Sequence, residues 1–252
     1  MRLNKDIEIL DGLPILHMTS INAIVCSDIH LGYESRLARN GVFAPKKNLN
    51  DVKKMVKSAA DMSGADRIII TGDIKNDFSR VELDEFNEIR EFARFSKEEA
   101  GMKEIVFVKG NHDNFLDRLA KPLGITMHQE EMAAGKTVFA HGDALPKKEW
   151  DTLVFGHVHP AIAVYNGLGV KERIKCFLYG KTMIKRHEKE VIVIPALTPF
   201  ASGVDVNIGD VSAMSPIFKN IVHVDTMRAL CVGEGETLDF GTVYNLRILA
   251  RV

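Results

Sequence analysis

Cysteine is scarce in this chain, with three residues among 252. Cys26, Cys176 and Cys231 are widely spaced and form neither a CxxC pair nor an even-numbered set. The sequence therefore indicates neither a disulfide framework nor a zinc ribbon. Because chains without disulfides are typical of reducing compartments, we expect a cytoplasmic protein.

Long hydrophobic runs are missing as well. The longest apolar stretches, such as VIVIPAL at 191–197, are far too short to span a bilayer. The first ten residues, MRLNKDIEIL, spread their charges and lack the apolar centre of a signal peptide. We therefore expect a protein that does not associate with membranes.

An excess of charge of one sign is also absent, because the formal net charge is −1. No global electrostatic attraction would draw such a chain to nucleic acid. A polyanion would have to be held by a local basic patch or by metal ions.

Strands and helices alternate over the first 160 residues. Apolar strands that end in polar residues are predicted at 22–28, 66–73, 104–113, 136–143 and 152–160. Helices are predicted at 49–62, before Gly64, and from Leu83 to Ala93, with Ser79 and Glu82 as a capping box. Beyond about residue 173 strands dominate, including NIVHVDTM (220–227) and a final strand near VYNLRILARV (243–252). We predict two packed mixed sheets with helices outside, in one domain over residues 1–252, since no linker-like stretch interrupts the pattern.

Polar residues cluster at the ends of five predicted strands. The clusters read DIH (28–30), GD (72–73), GNHD (110–113), HGD (141–143) and GHVH (156–159), and they hold five of the nine histidines. In open α/β sheets, ligands bind at the carboxyl ends of strands. The clusters are therefore expected to meet in one site.

The groups in these clusters suit metal ions. Imidazole, carboxylate and amide oxygen without thiolate favour divalent ions such as Mn²⁺, Fe²⁺ or Zn²⁺. One ion seldom takes more than three or four protein ligands, so a larger set predicts two ions. The set has seven members: Asp28, His30, Asp73, Asn111, His141, His157 and His159.

The GHVH cluster sharpens this count. In an extended strand, alternate side chains point to the same face, so the side chains of His157 and His159 are predicted to lie on one face of the strand. Two neighbouring imidazoles would suit one ion. Because seven groups need two ions, we instead expect His157 to bind one ion and His159 the other.

The ordered series DIH, GD, GNHD, HGD and GHVH resembles the calcineurin-like metallophosphoesterase superfamily over residues 22–160. The resemblance implies an α/β (α+β) fold, a four-layer αββα sandwich of two mixed β-sheets flanked by helices. It also implies two divalent ions per chain, with Mn²⁺ expected and Fe²⁺, Zn²⁺, Ni²⁺ or Co²⁺ as alternatives. It assigns Asp28, His30 and His159 to one ion, Asn111, His141 and His157 to the other, and Asp73 to both.

Two further residues take roles by the same resemblance. His112 is expected to handle the proton of the leaving group, and Asp113 to orient His112. Metal binding lowers the pKa of water from about 15.7 to about 7, so a hydroxide that bridges the two ions would attack phosphorus in line. The expected reaction is hydrolysis of a phosphoester.

Local motifs narrow the branch of the superfamily. The stretch GDIKNDF lacks the arginine of the GDxxDRG pattern, which counts against a phosphoprotein phosphatase. SDIHLGYE, GDIKND, VKGNHD, AHGD, GHVHPA and VIPALTPFASGVDVN resemble the ICC-like, SbcD-related branch, which includes DNA-ligase-associated phosphoesterases. In that branch a histidine is expected after the GDLK motif, and Asn76 occupies this position here. We expect a phosphodiesterase or nuclease-like enzyme that acts on nucleotide or nucleic-acid phosphodiesters, single-stranded nucleic acid among them.

Two alternatives stay open at this point. One is a phosphomonoesterase or nucleotidase that uses the same site. The other is a metal-binding adaptor with little activity. The presence of all seven predicted ligand residues counts against this alternative. Related nuclease subunits form pairs, so a homodimer is a further expectation.

Substrate contacts are predicted at two places. Tyr33 follows the first ligand pair and is expected to line the entrance of the site. Lys171, Arg173 and Lys175 alternate along a predicted strand and would make one face basic. This face either holds a nucleic-acid backbone or is an ordinary solvated strand.

Overall fold

The computed structural model describes residues 1–78 and 81–250. None of the described helices is long and apolar enough to cross a membrane. The strands are β1 (Ile7–Ile9), β2 (Leu16–Met18), β3 (Ala23–Cys26), β4 (Arg67–Thr71), β5 (Glu104–Val108), β6 (Thr126–His128), β7 (Glu131–Ala134), β8 (Thr137–Ala140), β9 (Thr152–Phe155), β10 (Pro160–Tyr165), β11 (Lys171–Ile184), β12 (His187–Val193), β13 (Val204–Asp205), β14 (Arg228–Val232) and β15 (Thr237–Thr242). The helices are α1 (Tyr33–Arg39), α2 (Asn48–Ser63), α3 (Leu83–Glu98), α4 (Asp117–Ala120), α5 (Pro216–Asn220) and α6 (Val243–Leu249).

The strands form two mixed sheets. The first has the order β1-β2-β3-β4-β5-β6, antiparallel from β1 to β3 and parallel from β3 to β6. The second has the order β13-β10-β11-β12-β9-β8-β7, with β14 paired to β11 and β15 paired to β14. Its strands β8, β9 and β12 are parallel.

Alternation of side chains along the strands builds the layers. In β4, Ile68 and Ile70 pack against the core that α2 and α3 cover, whereas Ile69 faces the second sheet. In β12, Ile192 faces the first sheet and Val191 packs on the side of α5 and α6. The order of helices, sheet, sheet and helices confirms the predicted four-layer αββα sandwich.

Two predicted strands near the C-terminus are wrong. NIVHVDTM contains the end of α5 and a 3₁₀ turn at Val224–Thr226, and VYNLRIL forms α6. The β-branched residues suggested strands. In the structure, Val243 and Leu246 are three residues apart and both pack on the core, and the Thr242 hydroxyl accepts a hydrogen bond from the Asn245 amide at 3.3 Å.

The helices at 49–62 and 83–93 are confirmed, but the start of α3 differs in detail. Ser79 lies outside the described residues, and the capping residue is Glu82, whose amide donates to Glu85 Oε2 at 3.2 Å. Leu83, the first residue of the predicted helix, is 74% exposed, whereas Glu85 is fully buried. The contacts of Glu85 with a loop of the site override the apolar pattern there.

Candidate metal centre

The five polar clusters meet at one end of the sandwich. DIH, GD and GNHD follow β3, β4 and β5 of the first sheet, and HGD and GHVH follow β8 and β9 of the second. Because β3, β4 and β5 are parallel, and β8 and β9 are parallel, each sheet presents these carboxyl ends at a common edge. The two edges face each other across the site.

The side chains of the clusters form two groups that share one carboxylate. Within each group, the atoms that could bind a metal all lie within 4.8 Å of one another. This is the division that the resemblance implied, and ligation itself stays a prediction. One group is Asp28, His30, Asp73 and His159, and the other is Asp73, His141 and His157.

Asn111 adjoins the second group. Its Oδ1 lies 2.9 Å from His141 Nε2, and His157 Nδ1 lies 3.0 Å from the same nitrogen. His141 Nδ1 faces the Thr71 carbonyl at 3.0 Å, which fixes the ring so that Nε2 points into the site. Asp73 Oδ1 is 3.4 Å from His141 Nε2. A cation at this place would therefore find imidazole, amide and carboxylate groups already turned toward it.

His157 and His159 lie in different groups, as the ligand count predicted, but they do not continue the strand that precedes them. β9 ends at Phe155, and both histidines have positive φ, 65° and 48°. The prediction of an extended strand through both residues is therefore wrong. Val158 between them is buried in the core on the helix side of the second sheet, and its amide donates to the Gly156 carbonyl at 2.7 Å, which closes a tight turn at His157.

Backbone strain is concentrated at the site. Non-glycine residues with positive φ are uncommon, because Cβ crowds the backbone, and such conformations persist only where surrounding contacts enforce them. One enforcing contact is the His157 amide, which donates to Asp28 Oδ2 at 3.0 Å. Five of the seven predicted ligands adopt this conformation: Asp28 (56°), His30 (45°), Asp73 (51°), His157 (65°) and His159 (48°).

At two positions of the clusters the backbone lies so close to a neighbouring side chain that only glycine fits. A Cβ on Gly156 would lie 1.8 Å from Ser27 Oγ and 2.4 Å from Asp28 Oδ2. A Cβ on Gly72 would lie 2.1 Å from His141 Nδ1. The backbone at these two glycines therefore packs directly against Asp28 and His141, two predicted metal ligands, and restricts the movement of their side chains.

Burial shapes the charge of the site. Asp73 is 2% exposed, and burial together with the nearby Asp28 raises its pKa to about 7. Burial also lowers the pKa of His30 to about 3. For Asp28, burial opposes ionisation, but the imidazoles of His159, His141 and His30 outweigh it and hold the pKa of this carboxyl below its usual range.

The donor set fits divalent cations. Three buried atoms of the predicted ligands have no hydrogen-bond partner among the described residues: Asp28 Oδ1, His30 Nδ1 and His159 Nε2. Asp28 Oδ1 and His159 Nε2 lie 3.0 Å apart but are not aligned as a hydrogen bond. In the described part of the chain, the carboxylates of Asp28 and Asp73 have only histidines as ion-pair partners. Buried carboxylates that lack a lysine or arginine are stabilised by metal coordination.

His112 lies beside both groups without belonging to either. Its amide donates to Asp73 Oδ1 at 3.0 Å, and its Nε2 lies 3.6 Å from Asp73 Oδ2. Its Nδ1 faces the carbonyl of Asn76 at 2.7 Å, so Nδ1 carries the proton and Nε2 is turned to the site. Burial lowers the pKa of His112 to about 4.

The expected role of Asp113 needs a correction. Its carboxylate accepts the amides of Gly110 at 2.9 Å, Ile74 at 2.9 Å and Lys75 at 3.2 Å. Asp113 therefore ties the GNHD and GDIK loops together, and the group that orients the ring of His112 is the Asn76 carbonyl. Burial raises the pKa of Asp113 to about 6.

The role of Glu85 in the site was not predicted from the sequence. Its Oε1 accepts the amides of Asn76 at 3.2 Å and Asp77 at 2.7 Å, which fixes the loop whose carbonyl holds His112. The signal was in the sequence, because Glu85 precedes Ile89 by one helical turn and so interrupts the apolar face of α3 with a carboxylate.

The loop LTPFASG borders the site. The Thr198 amide donates to the carbonyl of Asp28 at 3.2 Å, and its hydroxyl donates to Asn48 Oδ1 at 2.7 Å. Asn48 in turn donates to the carbonyl of His30 at 2.9 Å. Tyr33, predicted at the entrance, is half-buried and stacks on Phe200 of this loop with ring centroids 5.2 Å apart.

Each residue of the predicted basic strand face has a partner within the chain. Lys171 forms an ion pair with Asp205, and Arg173 pairs with the same carboxylate at 2.6 Å. Lys175 turns inward, where its Nζ donates to the carbonyls of Ala196, at 2.7 Å, and Thr198. These contacts count against a role of the three residues in holding a nucleic-acid backbone.

Comparison with known proteins agrees with this geometry. The family model of calcineurin-like phosphoesterases matches residues 21–153. The chain belongs to the calcineurin-like phosphoesterase family. Members of this family are metal-dependent phosphoester hydrolases, so the family and the donor set agree. No curated protein matches the sequence.

Two solved structures resemble this calcineurin-like phosphoesterase. The nuclease MPE of Pseudomonas putida shares 18% sequence identity at a TM-score of 0.61, over 90% of this chain and 93% of that one. Yfce, a phosphoesterase from E. coli, shares 16% identity at a TM-score of 0.38, over 87% of this chain and 98% of that one. The first of these likenesses supports the fold.

Proposed function

We propose that this protein is a phosphodiesterase that uses two divalent ions to hydrolyse nucleotide or nucleic-acid phosphodiesters. The observation that carries the proposal is the pair of buried ligand groups that share Asp73. One carboxylate common to two groups would hold two cations side by side, and such a pair stabilises the attacking and leaving oxygens in hydrolysis at phosphorus. The name of the solved Pseudomonas putida nuclease fits a phosphodiester substrate.

The residues that would hold the ions follow from the two groups. When bound, the ions would neutralise phosphate oxygens and lower the pKa of water, and Mn²⁺ is the ion that we propose. Asp28, His30 and His159 would hold one ion, Asn111, His141 and His157 the other, and Asp73 both.

His112 is the proposed proton donor. With Nδ1–H donated to the Asn76 carbonyl, Nε2 is the atom available to the departing oxygen. A phosphate anion close to Nε2 favours the protonated ring, which opposes the effect of burial on its pKa. Protonation of the leaving oxygen helps poor leaving groups most, such as the sugar alcohol of a nucleotide.

The direct test is turnover of bis-p-nitrophenyl phosphate with Mn²⁺, Fe²⁺, Zn²⁺, Ni²⁺ or Co²⁺. We expect metal-dependent hydrolysis that is lost in Asp73→Asn and kept in Asp61→Asn, a control at an exposed position of α2. Absence of turnover with all five ions would contradict the proposal and favour the metal-binding adaptor.

A substrate panel decides the substrate class. We expect single-stranded DNA, RNA or cyclic nucleotides to be hydrolysed faster than phosphomonoesters. The reverse order would show a phosphomonoesterase that uses the same site.

A further inference from the structure

Phe78 is an exposed aromatic residue in contact with the proposed proton donor. Its ring centroid lies 3.5 Å from that of His112, with 33° between the planes. The residue is nevertheless 45% exposed. Phe78 is thus open to solvent beside the imidazole that would protonate the leaving group.

A second exposed aromatic residue lies on the adjoining loop. Phe115 is 61% exposed and has a φ of 67°, a true outlier for a bulky side chain. Between them, the Asn114 side chain donates to the carbonyl of Phe78 at 3.2 Å and so joins the two loops. Asn114 also lines a cavity of about 430 Å³ that opens beside Asn111 and His141.

Single exposed apolar residues are common on protein surfaces. The position of Phe78 is different, because its neighbour His112 fixes which part of a substrate would lie there. The leaving group must approach His112 Nε2 to receive a proton, so it also passes the ring of Phe78. An aromatic face at this point binds planar groups by stacking and is tolerant of sequence, because every nucleobase has such a face.

We propose that Phe78 is a stacking platform for the base of the leaving nucleoside, so that the substrates are phosphodiesters with a nucleoside on the leaving side. The inference rests on the proposed function and adds the substrate class. Stacking lowers KM for leaving groups that carry a base. It gives no preference among the four bases.

The experiment compares two single-stranded DNA substrates that differ at one position. In one, the leaving nucleoside is thymidine, and in the other it is an abasic tetrahydrofuran. Both leaving groups are sugar alcohols of similar acidity, so any disturbance of His112 affects the two equally. We expect wild type to show about tenfold higher kcat/KM for the substrate with the base.

Variants isolate the contribution of the ring. Phe78→Ala should lower this ratio to about one, mainly through KM, and Phe78→Tyr should retain it. Phe240→Ala is the matched control, because Phe240 is 38% exposed on β15, away from the clusters. It should leave the ratio unchanged.

Three results would overturn the inference. They are an equal preference for both substrates in wild type, an unchanged ratio in Phe78→Ala, and hydrolysis of bis-p-nitrophenyl phosphate without cleavage of either DNA. Each of these results is compatible with the proposed phosphodiesterase activity but rejects the stacking role of Phe78. Failure to hydrolyse any phosphodiester would instead remove the proposed function.

Discussion

A backbone carbonyl orients the imidazole nitrogens of His112. The 2.7 Å contact from Nδ1 to the Asn76 carbonyl leaves Nε2 facing Asp73, and His112 contributes to neither ligand group. His112→Ala should therefore keep both ions and lose activity, by about 10²- to 10⁴-fold on DNA and less on bis-p-nitrophenyl phosphate. Elemental analysis of Mn²⁺ together with kcat on both substrates checks this. Loss of an ion in the variant would make His112 a ligand.

The buried amino group of Lys175 should make the stability of the fold depend on pH. Burial lowers its pKa from 10.5 to about 8 in the folded chain. Between pH 8 and 10.5 the folded state loses this proton while the unfolded state keeps it, so the free energy of unfolding rises with pH. Below pH 8 both states are protonated and the cost of burying the charge is present in full.

The measurement is chemical denaturation of wild type and Lys175→Met at several pH values. The free energy of unfolding of wild type should increase relative to the variant by about 3 kcal/mol between pH 8 and 10.5. Lys5→Met, at an exposed position, serves as the control. A difference between wild type and Lys175→Met that stays constant with pH would refute the shift.

Glycines set how closely the strand ends approach one another. Gly156→Ala would push a methyl group against Ser27 and Asp28, at 1.8 and 2.4 Å. We expect Mn²⁺ affinity to fall by about 10- to 100-fold, as it does when groups that orient metal ligands are lost. Gly167→Ala, with nothing within 4 Å of its new Cβ, is the control. Equal Mn²⁺ affinity in the two variants, measured by titration, would disprove close packing at Gly156.

The loop before α3 is held by a carboxylate of the helix itself. Glu85 accepts the amides of Asn76 and Asp77, and Glu85→Gln replaces one acceptor oxygen by a donor. The variant should lose about tenfold in kcat on DNA, and less on bis-p-nitrophenyl phosphate, because only a poor leaving group needs a well-oriented His112. Glu98→Gln, at an exposed position of the same helix, should change neither rate. Equal losses of Glu85→Gln on both substrates would indicate a general structural defect.

The sequence predicted the elements that carry the site better than the contacts within them. Apolar strands that end in polar residues were visible as pattern, and parallel pairing brings their carboxyl ends together. The Asn76 carbonyl and the Glu85 carboxylate were not predictable, because backbone groups meet only after helix and loop pack. The final helix was missed for a similar reason, since Val243 packs on the core together with Leu246 and does not follow the strand preference of valine.

At the scale of the whole molecule, the two sheets bring together predicted ligands that neither sheet carries alone. Asp28, His30, Asp73 and Asn111 come from the first sheet, and His141, His157 and His159 from the second. Each proposed ion would therefore bridge the sheets. Mn²⁺ should raise the melting temperature of wild type and have little effect on Asp73→Asn, which differential scanning calorimetry with and without the ion would show. An equal increase in both proteins would contradict this link between the sheets.

Two cations are proposed to lie side by side around Asp73, with His157 on one and His159 on the other. Low-temperature electron paramagnetic resonance with Mn²⁺ counting measures this directly. We expect two spin-coupled Mn²⁺ ions per chain in wild type and one uncoupled ion in each of His157→Ala and His159→Ala. A single uncoupled ion in wild type, or loss of the same ion in both variants, would contradict it.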